Sequence, residues 1–178
     1  MSARAGETFD VGQAVSNVEA LLTESVPAVG PTIDEEDPGT QEWTITRGEG
    51  FVIVPLWESG GLTGLYEPQW NEEAQAAEGH LADLARELER RWGPHRRVAM
   101  HVPLFRKQAG EPMPPLFQAL CDNDAYGDLT VWGPVQSGAE GGTDRWVGVS
   151  VGHSDGDAPL VMVAVASDRP IVELDGAP

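Results

Sequence analysis

Hydrophobic positions recur along this chain at two spacings, every three to four residues in some stretches and every second residue in others, which sorts it into helices and strands. The clearest helical stretch is residues 71–93, where Ala74, Ala77, Leu81, Leu84, Leu88 and Trp92 fall on one stripe. Its ends are marked as well. Asn71 suits the N-cap, Glu72 and Glu73 lie at the positive end of the helix dipole, Arg90 and Arg91 at the negative end, and Gly93-Pro94 stops the helix. A shorter helix is predicted over 9–23 from Val11, Val15, Val18 and Leu22, with Thr8 or Asp10 as its cap. Another is predicted over 113–120, where Pro114 and Pro115 fit a first turn ahead of Leu116, Phe117 and Leu120.

Strand patterns occupy 42–46, 51–57, 97–105, 128–132, 145–152 and 160–166, and the strip 171–174 adds a short edge. Pro55 offers no N–H, so the strand over 51–57 should lie at a sheet edge or end near that residue. Val102-Pro103-Leu104-Phe105 echoes Val54-Pro55-Leu56-Trp57, as two similarly placed edges or a faded duplication would. The run over 160–166 is almost continuously apolar, the mark of a strand buried on both faces, and the last three long strands read as an antiparallel meander. These elements predict an α+β fold: a mostly antiparallel sheet covered by one long amphipathic helix, with an N-terminal helix on a flexible acidic linker. The linker reading rests on 26–41, which holds Pro27, Gly30, Pro31, the run Asp34-Glu35-Glu36-Asp37 and Pro38-Gly39. It divides the chain into 1–41, helix and linker, and 42–178, a single α+β domain. The N-terminal helix either folds back on the core, the favoured reading, or serves as a docking peptide.

Charge narrows the choice of partners. The chain has 178 residues and a formal charge of -18, and the acids are unevenly spread: nine acids to one base over 1–42, nine to eight over 43–110, eleven to two over 111–178. Such a field disfavours nucleic acid and anionic membrane and leaves a basic protein as the expected partner. The chain carries no apolar leader and no run long enough to span a bilayer, which predicts a cytoplasmic protein. One cysteine, Cys121, permits no intrachain disulfide, and no cofactor or metal is expected.

The segments Arg91-Trp92-Gly93-Pro94, Pro112-Met113-Pro114-Pro115-Leu116, Asp128-Leu129-Thr130-Val131-Trp132 and Asp144-Arg145-Trp146-Val147-Gly148-Val149, followed by a hairpin through Gly152-His153-Ser154-Asp155, carry a likeness over 81–166. In these the chain resembles a family of small acidic actinomycete α+β proteins with no assigned activity. The resemblance implies a compact α+β domain in a bacterial cytoplasm and carries no site residues with it.

Chemical motifs are few. Asp122-Asn123-Asp124-Ala125-Tyr126-Gly127 opens like a calcium loop but has Tyr126 at the fifth position and Gly133 at the twelfth, where a closing glutamate belongs. His153, Ser154, Asp155 and Asp157 share one turn, and neighbours on a turn rarely converge into a catalytic relay. His80, His95, His101 and His153 lack metal-ligand spacing. One positive island, which includes Arg90, Arg91, Arg96 and Arg97, is expected to dock an anion or the acidic run at 34–37, in the same chain or a neighbouring copy. Trp70 and Tyr66, ahead of the long helix, suit exposed anchors.

The leading functional reading is a non-enzymatic acidic protein-binding module, an adaptor or immunity-type inhibitor of a basic partner, using Tyr66, Trp70, Asp155 and Asp157. Its alternatives are a small hydrolase built on His153 with Asp155 or Asp157, or on a carboxylate in the loop from Glu58 to Glu67, and a structural subunit of a bacterial assembly docked through the N-terminal helix. Oligomeric state is not legible in the sequence.

Overall fold

Alternating and near-continuous apolar stretches pair into one sheet in the computed structural model, which describes residues 6–136, 142–153 and 158–176. In chain order the elements are α1 (Val11–Leu21), β1 (Ile33–Glu36), β2 (Trp43–Gly48), β3 (Phe51–Glu58), α2 (Glu67–Trp92), β4 (Arg96–Val98), α3 (His101–Ala109), α4 (Pro115–Asp122), β5 (Leu129–Gln136), β6 (Asp144–Gly152) and β7 (Val161–Ser167). The strands lie in the order β1-β2-β3-β7-β6-β5-β4, each antiparallel to its neighbour. The fold is α+β with an open antiparallel sheet, and the meander of β5, β6 and β7 forms as its alternation predicts.

Period-two alternation gives the sheet two apolar faces. Val52, Trp132, Val147, Val149, Met162 and Ala164 point into a layer that holds α1 and α2. Phe51, Ile53, Leu129, Val131, Val163 and Val165 point the other way, toward α4, Met100 and Ile171. The expected single covered face is therefore half of the arrangement, because both sides of β7 are buried. The strip 171–174 forms no strand; Ile171 instead plugs the second face.

The long helix begins five residues earlier than predicted. Tyr66, not Asn71, is its N-cap; the Tyr66 N–H donates to Gln69 Oε1 at 3.3 Å, and a proline stands in the first turn. Leu84 and Leu88 are fully buried, and the helix ends at Gly93, whose φ of 84° is a conformation few other residues adopt. Trp132 Nε1 donates to the Gly93 carbonyl at 3.0 Å, which ties this end of α2 to β5.

Three expectations are corrected. The strand over 97–105 is the short β4 followed by α3: Met100 N–H donates to Asp128 Oδ1 at 2.9 Å, the chain turns, and Pro103 falls in a first helical turn, which tolerates it. The echo between 54–57 and 102–105 therefore joins a strand to a helix and marks no shared placement. Pro55 lies in an internal strand, not an edge, and the strand does not end there: pairing of β3 with β2 stops at Ile53, while pairing with β7 continues through Pro55↔Val163 to Glu58. Finally, 26–41 is not a featureless tether, since β1 pairs with β2 from Ile33↔Arg47 to Glu36↔Trp43.

α1 belongs to the core. Asp10 caps it through Gln13 N–H at 3.0 Å, and Ala14, Val15, Val18 and Leu21 are buried. Two arginines hold the chain just after the helix: Arg47 Nη1 donates to Ser25 O at 2.9 Å, and Arg145 Nη1 to Glu24 O at 2.7 Å. An assembly docked through the apolar stripe of α1 would have to draw that stripe out of its own core.

Candidate binding groove

Small residues leave a trough where α2 crosses the sheet. Ala74 and Ala77 form its helix wall, and Gly127 and Gly152 lie opposite, where the segment after α4 passes β6 backbone to backbone. Three hollows of about 300, 380 and 340 Å³ adjoin one another along this line, and Glu78 borders all three. From Trp70 to Glu89 the groove follows just over five turns of α2, about 28 Å at 1.5 Å per residue.

One end is aromatic. The Trp70 ring stands 5.0 Å from the His153 ring at an interplanar angle of 84°, with Tyr126 beside them. In the middle, Arg97 Nε donates to Asp128 Oδ2 at 2.9 Å, and Nη2 makes a second contact with the same oxygen. Burial opposes charge on Asp128, but the Met100 N–H and the Arg97 guanidinium outweigh it, and the carboxyl is held below the ordinary carboxylate range. At the far end Arg86 pairs with Asp83 at 3.1 Å, and His95 Nδ1 meets Glu89 Oε1 beside the Trp132 ring. The groove's cations therefore have local carboxylates. Glu78 is exposed and makes no hydrogen bond among the described residues; it lies close enough to Arg97 to favour that guanidinium's charge and borders the open groove.

Of the residues singled out in the sequence, Trp70 lines this groove, within the first turn of α2 rather than in a preceding loop. Tyr66 sits one turn earlier and is 78% exposed. Asp155 and Asp157, with Ser154, lie outside the described residues; His153 lines the groove, while Glu58 is half-buried at the end of β3 and Glu67 opens α2. The positive island does not hold the acidic run within the chain. Arg90 pairs with Glu87 at 2.9 Å and Arg91 with Glu19 at 2.8 Å, while Arg96 donates to the Ile171 carbonyl and Arg97 to Asp128. Asp34 accepts from Thr46 Oγ1, and Glu35 pairs with Arg47 at 3.2 Å. The reason is topological: β1 and β4 are opposite edges of the sheet.

The other candidates become structural. His80 stacks on Phe9 at 4.6 Å and meets Trp57 edge-on at 5.1 Å. In the calcium-like loop, Asp122 accepts from Lys107 Nζ at 2.9 Å and Asp124 from the Tyr126 hydroxyl at 3.0 Å. Cys121 is buried, and that burial pushes its thiol pKa up. Among the described residues, no group of His, Cys, Asp and Glu is placed to hold a metal ion.

Sequence reasoning missed Glu78, Tyr126, Gly127 and Gly152. Glu78 looks like any solvated helix residue, and only the neighbouring Ala74 and Ala77, small for a core stripe, hinted at a hollow beside it.

Comparison of the chain with protein-family models, with curated proteins and with solved structures finds no match in any of the three. Among the described residues, no helix is long and apolar enough to cross a membrane.

Proposed function

We propose that the protein is a non-catalytic protein-binding module that takes a cationic segment of its partner into the groove along α2. The observation that carries this reading is Glu78, the carboxylate shared by all three hollows and left without a hydrogen bond. A lysine or arginine of the partner lays its aliphatic stem along Trp70, Ala74 and Ala77 and brings its charge to Glu78. Tyr66, exposed one turn before Trp70 at the start of α2, adds a second aromatic contact. The charge of -18 steers a basic partner toward the surface and speeds association more than it tightens the complex. An adaptor or an immunity-type inhibitor acting in a bacterial cytoplasm, of the small acidic actinomycete type, fits this use, with Asp155 and Asp157 kept as candidate acidic contacts from the sequence alone.

The test is a titration of arginine-rich and matched glutamate-rich peptides, followed by tryptophan fluorescence and calorimetry. The arginine-rich peptide binds with an affinity that falls as salt rises, and Glu78→Gln weakens it about five- to thirtyfold, an anchor loss of about 1 to 2 kcal/mol. Replacing Glu72 and Glu73, exposed in the same helix, leaves binding nearly unchanged. Equal affinity for wild type and Glu78→Gln would sink the assignment.

A further inference from the structure

The two outer strands of the sheet carry opposite charge. β1 reads Ile-Asp-Glu-Glu and is exposed throughout; β4 reads Arg-Arg-Val, with both arginines exposed. Exposed strand edges invite pairing with another chain, and proteins commonly discourage this with charged side chains. Edges of like sign would block every such pairing. Edges of opposite sign block only the symmetric ones, since β1 against β1 sets carboxylates together and β4 against β4 sets guanidinium groups together. The combination of β1 with β4 is left attractive.

The charges also match face by face. Asp34 lies opposite Thr46, which lies opposite Ile53, and Glu36 lies opposite Trp43, so both acids are on the sheet face that holds α4. Arg96 lies opposite Val131, on that same face. Glu35 and Arg97 both point to the α2 face, opposite Ile45 and Thr130. Direction agrees as well. Every neighbouring pair among the seven strands is antiparallel, so β1 and β4, six steps apart, run the same way. A second copy carried sideways by little more than a translation sets its β1 parallel to β4 of the first, with the faces continuous and acids on the arginines' sides. Arg97 keeps Nη1 clear of its bonds to Asp128, and Glu36 has no internal ion pair among the described residues.

From this geometry we propose that the chain self-associates head to tail, β1 of one copy adding to β4 of the next, as a heterologous assembly that grows without closing on a dimer. The contact is short, because β4 has three residues, so the assembly is reversible and depends on concentration. The net negative charge of each copy opposes it over long range; near physiological salt that repulsion is screened beyond about 8 Å, while contact pairs persist.

Sedimentation of the full chain at such salt, over a roughly hundredfold concentration range, tests the proposal. The expected result is a weight-average mass that rises past the dimer without a plateau. Glu36→Lys spoils the acidic edge and Arg96→Glu the basic edge, and each variant alone associates at least about tenfold more weakly. Arg96→Gln, which removes the charge without reversing it, gives the same result if Arg96→Glu unfolds. Glu36→Lys mixed in equal amounts with Arg96→Gln forms a one-to-one pair that grows no further, because one intact β4 meets one intact β1 and the two altered positions carry no opposite charges. A wild type that stays monomeric throughout, or a dimer unaffected by either edge variant, overturns the proposal. Peptide binding in the groove is read separately on Glu36→Lys, so failure of one assignment leaves the other standing.

Discussion

A Cβ added at Gly127 would fall 2.2 Å from the carbonyl oxygen of Val151, because two backbones touch there without intervening side chains. No side-chain rotation relieves such a contact. Gly127→Ala should therefore cost about 2 kcal/mol or more, as overpacking at a rigid site does. At Gly152 the nearest atom to an added Cβ is Gly127 N at 3.1 Å, so Gly152→Ala should cost less. Urea midpoints of the two variants give the order. A Gly127→Ala protein as stable as wild type would mean that the segment after α4 does not press on β6, and the floor of the groove would need to be redrawn.

Val18 is fully buried between α1 and the rest of the core. Val18→Ala should destabilise the protein by about 2 kcal/mol, the lost transfer of two methyl-sized groups plus a partial cavity. Removal of residues 1–41 should do far more, since it takes away α1 and β1 together. Thermal unfolding followed by circular dichroism distinguishes this from a tethered helix, whose deletion would leave the midpoint where it was.

How much of this could be read from the chain depended on whether a signal was local. The stripe of α2 was legible because its periodicity spans many turns, and β5 to β7 because each alternates and is bounded by turn residues. The start of α2 was not, since Asn71 is a good cap in isolation and nothing nearby shows that Pro68 stands in a first turn instead. Val-Pro-Leu occurs in both β3 and α3, so tertiary context, not local propensity, decides between strand and helix there. β1 looked like linker because prolines, glycines and acids surround it; what orders it is Arg47 and Thr46, distant along the chain. The groove was half visible. Trp70 stood out as an aromatic, while Glu78 gained its significance only from what the fold leaves empty around it.

Burial raises the pKa of the Cys121 thiol, and Asp122 adds to that while Lys107 opposes it. The thiolate is the reactive form, so the native protein should resist alkylation and disulfide exchange at neutral pH. A thiol reagent such as Ellman's should react slowly with the folded chain and stoichiometrically once urea unfolds it. Rapid reaction under native conditions would show that α4 opens locally and that the second core layer is looser than its packing implies.

Asp128 carries the clearest dependence on pH. Its carboxyl is less easily protonated in the fold than in the unfolded chain, since the Met100 N–H and Arg97 overcome the burial that works the other way. Between the two pKa values the unfolded state binds more protons, so the contribution is present above the ordinary carboxylate range and is lost as pH falls below it. Asp122 adds in the same sense, held down chiefly by Lys107. Glu58 has the opposite sign: burial first, then Glu42, raises its pKa, so its contribution is present at low pH and lost as pH rises through and above the ordinary carboxylate range. Asp128→Asn should cost about 1 kcal/mol at about pH 7, a figure kept low because the site is partly open to solvent. Wild type and variant should then converge as pH falls below the ordinary carboxylate range and Asp128 becomes protonated in the folded as well as the unfolded state. Glu58→Gln should raise the neutral-pH unfolding midpoint. Urea unfolding across this range checks both substitutions, and a constant gap between wild type and Asp128→Asn would assign the loss to packing and not to charge.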